Sequence, residues 1–350
     1  MEVLGVLIKG KCRENLWNPI KASQGGPSFS HVFFADDLML FTKADRKNCV
    51  AIKDVLDSFC EISGQKISGK KSCVFFSPNV DQNTRIELGD VLGFRSTPSL
   101  GKYLGFPIKH KGSQQDFGFI LDRIQSKLVG WKANLLSPAG RVVLTQSVTS
   151  TIPNYVMQCI ALPPKIFQGI DKLNKNFIWG SSENKKKVHL IGWNKITKAK
   201  EEGGLSIQAA KPKNTALLAK LNWRFHLEKS SLWVRVLSNK YRAHRRSFRS
   251  TITLTSCSST WVGLKKGKEI FSKGSKWIAG KDSSLSLWFD KWLNKGPLRS
   301  LISGPLNKGE ENLKVMDIAS FLGWRWAGLS FDLPASILLE IKATRPFLKP

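Results

Sequence analysis

The chain predicts an α+β fold in which short strands alternating with helices give way to helix after helix. Two patterns predict it. Up to about residue 112, brief aromatic and aliphatic runs are punctuated by Gly, Asp and Ser and separated by segments of helical period. From residue 113, apolar residues recur at three- and four-residue spacing, with Pro and Ser at the predicted starts. A third observation concerns partners. Fifty-five Lys and Arg against 26 Asp and Glu leave a formal net charge of +29, which points to a polyanion, and nucleic acid is the economical choice. At 350 residues and 41% hydrophobic, the chain suffices for two or three packed cores.

Taken in order, residues 1–28 are polar and Gly-rich, with Gln24-Gly25-Gly26-Pro27 as a loop. Phe29 to Phe34 and Leu38 to Phe41 each read as a buried strand, so Asp36-Asp37 occupy the tight turn of a hairpin. A helix follows, capped by Asp45, with Val55, Leu56 and Phe59 on its apolar face and Gly64 as its left-handed stop. Ser72 to Phe76 predicts a strand, Asp81 to Leu92 a helix, and Tyr103 to Ile108 another strand. In the helical part, Ser113 caps a run carrying Phe117, Ile120, Leu121, Ile124 and Leu128. Ser137-Pro138 opens a second helix that Pro153 ends, and Pro163-Pro164 opens a third carrying Ile166, Ile170, Leu173, Phe177 and Ile178. Glu201 to Leu205 is a turn, Ala209 to Glu228 and Ser231 to Tyr241 are helices, and 247–260 is a Ser/Thr-rich linker. Trp261, Trp277, Trp288 and Trp292 mark short pieces beyond it.

Phe33-Phe34-Ala35-Asp36-Asp37-Leu38-Met39-Leu40-Phe41 is the most informative stretch. Adjacent carboxylates repel, and a hard cation such as Mg²⁺, which takes oxygen ligands and negative charge, relieves that repulsion. The plainer reading is a surface turn, where Asp is common for its local hydrogen bonds. Four further blocks follow: Ser63-Gly64-Gln65-Lys66-Ile67-Ser68-Gly69-Lys70-Lys71-Ser72; Leu100-Gly101-Lys102-Tyr103-Leu104-Gly105; Gly130-Trp131-Lys132-Ala133 running into Leu136-Ser137-Pro138-Ala139-Gly140-Arg141; and Phe177-Ile178-Trp179-Gly180. In this order the five blocks resemble the reverse transcriptases of plant LINE-type (non-LTR) retrotransposons. The resemblance covers nearly the whole chain, but only the C-terminal part of a polymerase.

The resemblance implies a partial palm over 1–112 (a hairpin plus helices), a mainly helical thumb over 113–180, a basic helical region over 181–246 and a Trp-containing connection region over 247–350. In polymerases of this type two Mg²⁺ ions about 4 Å apart activate the primer hydroxyl and stabilise the leaving pyrophosphate. Asp36 matches the acid that ligates metal directly, and Asp37 its supporting neighbour. Lys71 matches a lysine near the triphosphate that acts as general acid, against the plainer reading of a solvated lysine beside Lys70. The register there departs from the family, whose usual Asn three residues earlier is Ser68 here. Leu100, Gly101, Lys102, Tyr103 and Gly105 match the primer grip, or else form an ordinary Gly-rich turn. The implied partners are an RNA template and a DNA primer, with deoxynucleotide triphosphates in the complete enzyme.

Lys185, Lys186 and Lys187, with Arg242, Arg245 and Arg246, lie in a segment where cations far outnumber acids. That favours phosphate contact without base reading over a merely solvated loop. Trp131, Trp179 and Trp223 fall within apolar helical faces and are expected in the core, although aromatics also stack on bases in single-strand binders. Cys12, Cys49, Cys60, Cys73, Cys159 and Cys257 form no Cys-x-x-Cys pair, which argues against zinc and for reduced thiols of an intracellular protein. No secretory signal opens the sequence, no apolar run approaches a spanning helix, and no membrane partner is expected. The resemblance places the chain in the nucleus or a cytoplasmic ribonucleoprotein. His31, His110, His189, His226 and His244 show no ligand spacing.

The family's first catalytic aspartate and its substrate-binding motif lie upstream of this hairpin. Nothing in the sequence resembles the fingers, the endonuclease or the ribonuclease H region. The expectation is therefore a truncated RNA-directed DNA polymerase with an incomplete two-metal site, weak or absent Mg²⁺ binding and no activity alone. A domesticated, non-catalytic RNA- or DNA-binding protein satisfies the same charge, and an intact enzyme whose start lies further upstream is the third reading.

Overall fold

The computed structural model describes residues 1–108, 117–129, 135–181, 187–242, 257–280, 283–320, 323–325, 329 and 333–344. It combines many helices with five two-stranded sheets among those residues, an α+β architecture.

The N-terminal core gathers around α2 (Arg46–Ser63), whose Cys49, Ile52, Val55, Leu56 and Phe59 are buried. The predicted caps are present: the Asp45 carboxylate accepts from the Asn48 amide, and Gly64 closes the helix at φ 67°. Against α2 pack α1 (Glu2–Arg13), through Leu4 and Ile8, and α3 (Gln82–Leu92), capped by Asp81, through Leu88 and Leu92. The helix α1 corrects the expectation of a polar, Gly-rich start. Its Gly5 and Gly10 hid an amphipathic pattern in which Leu4 and Ile8 fall one turn apart.

The strands are shorter than expected. Phe29 belongs to a separate ladder of β1 (Ile20–Lys21) and β2 (Ser28–Phe29), and the hairpin proper is β3 (His31–Phe34) with β4 (Asp37–Leu40). Only Cys73–Val74 of the Ser72 to Phe76 segment is strand (β5), paired in parallel across α3 with β6 (Arg95–Ser96). Tyr103 to Ile108 is not one strand. It turns back on itself as β7 (Lys102–Tyr103) and β8 (Phe106–Pro107), because Leu104 and Gly105 both take left-handed backbone, φ 51° and 75°.

The helical part begins at α4 (Gly118–Leu128), with Phe117 at its N-cap; the Ser113 cap lies outside the described residues. Ser137 caps α5 (Pro138–Leu144) as expected, but Pro153 does not end that helix. It runs into a π-helical turn over Thr145–Thr149, and Pro153 instead caps the short α6 (Asn154–Met157). α7 (Pro164–Ile178) starts at the predicted proline pair and buries Ile170, Phe177 and Ile178. After α8 (Trp193–Ile196) come α9 (Ala210–Leu227) and α10 (Leu232–Arg242).

The segment read as a linker corrects differently. Residues 247–256 lie outside the described residues, while Ser258 caps α11 (Ser259–Gly274). Gly263 and Gly267 lay this helix hard against Leu218 of α9. The C-terminal core holds Trp288 and Trp292, both fully buried, with α12 (Leu298–Leu301), α13 (Val315–Ile318), the pair β9 (Ala319–Ser320) and β10 (Gly323–Trp324), and α14 (Ala335–Ala343). Among the described residues no helix is long and apolar enough to cross a membrane.

Candidate functional site

The register Phe34↔Asp37 leaves Ala35-Asp36 as the two-residue connection of the β3–β4 hairpin. This shifts the expected turn by one residue: Asp36 lies in it, while Asp37 is the first residue of β4. Both are exposed. Ala35 takes φ 51°, a left-handed conformation that costs a residue with a Cβ on the order of 1 kcal/mol.

The hairpin is not buried on both faces. Phe33, Leu38 and Leu40 pack on the N-terminal core, while Phe34 is 61% exposed. Phe33 stacks on His31 at 4.4 Å and lies beside Gly5 of α1. Burial, reinforced by the positive Lys9, holds the His31 imidazole below its ordinary pKa, and its Nδ1 sits 2.9 Å from Ser30 Oγ.

The hairpin is tied to α2 by a residue that sequence reasoning did not single out. Asn48 is completely buried, and its Oδ1 accepts from the Asn18 amide at 2.6 Å and from Thr42 Oγ1 at 2.7 Å. Its Nδ2 donates to Asp45 Oδ2 at 2.6 Å. Nearby, the buried Trp17 donates to the Phe41 carbonyl at 3.0 Å. An Asn in the first helical turn reads as an ordinary helix-start residue; only the fold brings residues 18 and 42 to it.

The β7–β8 hairpin lies near these acids. Burial pushes the Tyr103 phenol up, and the Asp37 carboxylate adds to the shift. The Tyr103 hydroxyl is buried without a hydrogen-bond partner among the described residues. The turn is held from the helical side, where Tyr155 donates to the Leu104 carbonyl at 2.9 Å. The ammonium of Lys102 lies 4.9 Å over the Phe119 ring. Leu100 is half-buried, and Gly101 and Gly105 both have positive φ.

Lys71 is exposed in a turn in which its amide donates to the Ser68 carbonyl. Among the described residues its ammonium has no hydrogen bond or ion pair to Asp36 or Asp37. Two carboxylates are donors of the kind Mg²⁺ takes, but they do not fill an octahedral shell, and no group of three His, Cys, Asp or Glu among the described residues is placed to hold a metal. These residues do not by themselves fit a two-ion centre.

Two sequence blocks that stand far apart meet in space. The Arg141 guanidinium of α5 lies against the backbone of Gly180, whose φ is 69°, and Lys187 Nζ stands 3.4 Å from where a Cβ on Gly180 would sit. Lys185, Lys186, Arg245 and Arg246 lie outside the described residues, and Arg242 ends α10. The core expectation fails at Trp223, which is 52% exposed on α9; Trp131 is outside the described residues, and Trp179 is half-buried.

No family model matches the chain. It is 37% identical over 241 residues to the Arabidopsis thaliana protein named "Putative ribonuclease H protein At1g65750", an alignment that takes in 68% of this chain and 39% of that protein. The chain thus spans well under half the length of that relative. It is also 30% identical over 143 residues, 41% of its length, to the Arabidopsis thaliana "Uncharacterized mitochondrial protein AtMg00310". Because that alignment takes in 92% of the shorter protein, the chain belongs to the family of AtMg00310.

Proposed function

We propose that the chain is a part of a retrotransposon-derived reverse transcriptase that binds nucleic acid and contributes two of the acids of its polymerase centre. The observation that carries this reading is the hairpin, with Asp36 in a connection turned by a left-handed Ala35 and Asp37 beside it. Tyr103 of the second hairpin, within the field of Asp37, supports it. So does the excess of cations. In this reading the first core is the end of the palm, α4 to α7 the thumb, and the segments beyond a basic region and a connection region. Leu100 to Gly105 approach a primer end, Lys71 faces a triphosphate, and Lys185 to Lys187 with Arg242, Arg245 and Arg246 neutralise phosphates of a template and primer.

Since the described residues do not complete a metal centre, the chain by itself is expected not to extend a primer on an RNA template with Mg²⁺ and deoxynucleotides. Supplying a fragment with the missing acid restores extension, and Asp36→Ala then abolishes it. Extension by the chain alone, lost in Asp36→Ala, would overturn the partial-centre reading. The excess of cations fits a second reading as well, a non-catalytic binding protein. In that case Asp36→Ala leaves every measurable property but local stability unchanged, the reassembled mixture included.

A further inference from the structure

α9 and α11 are locked together by glycine, and one side of the pair exposes aromatic surface to water. Trp223 is 52% and Trp277 41% exposed, and the two belong to one connected cluster. Trp223 meets Phe271 at 6.3 Å, Phe271 stacks on His226 at 5.0 Å, and His226 meets Trp277 at 5.8 Å. Trp277 is held in place. Its amide donates to the Lys291 carbonyl at 2.8 Å, and the Lys291 ammonium in turn donates to the last carbonyls of α11, those of Ser272 and Lys273.

The surroundings are positive. α9 contains no acid, and Lys220 stands one turn before Trp223 on the same face. On α11, Lys266 and Lys268 stand one turn before Ile270 and Phe271, and none of these three lysines pairs with a carboxylate among the described residues. Of the acids in this region, Glu228 is paired with Arg224 and Glu269 with Lys273, each at 2.7 Å, and Asp290 beside Lys291 accepts from the Ser286 amide.

We infer that this face is a stacking platform for single-stranded nucleic acid, with the Trp223–Phe271–His226–Trp277 cluster against bases and the flanking lysines along the phosphates. Charge complementarity selects a polyanion, and open indole surface selects one whose bases are free to stack. In a duplex those faces are already stacked on one another. The inference rests on the nucleic-acid-binding reading above and adds to it the strand form and the surface that takes it.

The test measures binding of the full chain to a labelled oligothymidine and to a duplex by fluorescence anisotropy across salt concentrations. Replacing both Trp223 and Trp277 by Ala is expected to weaken single-strand binding about tenfold or more, leaving duplex affinity and the salt slope unchanged. Replacement by Phe at both positions retains most of the affinity. Circular dichroism melts of both variants check folding, which exposed side chains should not control. If the unsubstituted chain binds neither strand form at low salt, the nucleic-acid reading and this inference both fall. If it binds both and the folded double-Ala variant behaves alike, this inference alone falls. Self-association of the chain that the Ala variant loses, with oligothymidine binding intact, would assign the face to a second copy and overturn the proposal.

Discussion

Asn48 has the largest structural reach of any single polar residue near the hairpin. Fully buried, its side chain makes three hydrogen bonds, to Asn18 and to Thr42 and Asp45 of the segment before α2. A buried donor left without its acceptor costs about 1–3 kcal/mol. Asn48→Ala strands the Asn18 amide, while the Thr42 hydroxyl keeps the Asn18 carbonyl at 3.2 Å as acceptor, so urea denaturation is expected to show a loss of about 1–3 kcal/mol. A change under about 0.5 kcal/mol would mean that water replaces the lost bond. His31 carries the opposite kind of information, because its protonation is disfavoured in the fold. With its folded pKa lowered, the stability it contributes is present above the unfolded value of about 6.5 and is lost as pH falls through the folded value. His31→Phe keeps a ring against Phe33 and removes the titration. The fall in melting temperature between pH 7 and pH 5 should therefore be smaller in the variant, and an equal fall would locate the acid sensitivity elsewhere. Asn48 and His31 were both invisible as sequence signals, since their roles depend on residues distant in the chain.

At the scale of elements, caps and prolines were legible and strand boundaries were not. Asp45, Gly64, Ser137 and the Pro163-Pro164 pair act within a few residues of themselves, so reading them requires no tertiary information. Phe29 and Tyr103 to Ile108 were misread because a positive φ or a change of pairing partner, rather than composition, decides where a short strand ends. The α9–α11 pair was half-legible: α9 matches the expected helix, while α11 begins at the end of the expected linker and fills a stretch that read only as short Trp-containing pieces. Gly267 shows what holds the pair. In an open helix, Gly→Ala is favourable by about 1 kcal/mol. Here an added Cβ meets the backbone of Leu218, which cannot rotate away as a side chain can. Overpacking of this kind costs about 1–3 kcal/mol, so Gly267→Ala is expected to lower the melting temperature although it improves helix propensity. A stabilised variant would show that the two helices separate freely.

Across the whole molecule, the charge and the paired acids were legible from residue types alone. Their arrangement was not. The sequence blocks ending at Arg141 and Gly180 gave no sign of meeting, and Trp223 was expected in the core because an apolar helical face looks the same whether a protein or a ligand covers it. The buried hydrophobic residues gather in several separate cores among the described residues.

The makeup of those cores carries a consequence for how the protein comes into being. One is assembled from Leu4 to Leu92, another from Phe117 to Ala210, and a third from Ala279 to Ile341. The buried residues of each core come from one continuous stretch of sequence, which limits the loop-closure entropy of forming it. On the ribosome the Asp36-Asp37 hairpin can be framed by α1, α2 and α3 while the helical half is still being synthesised. The order of the chain is thus also an order of assembly.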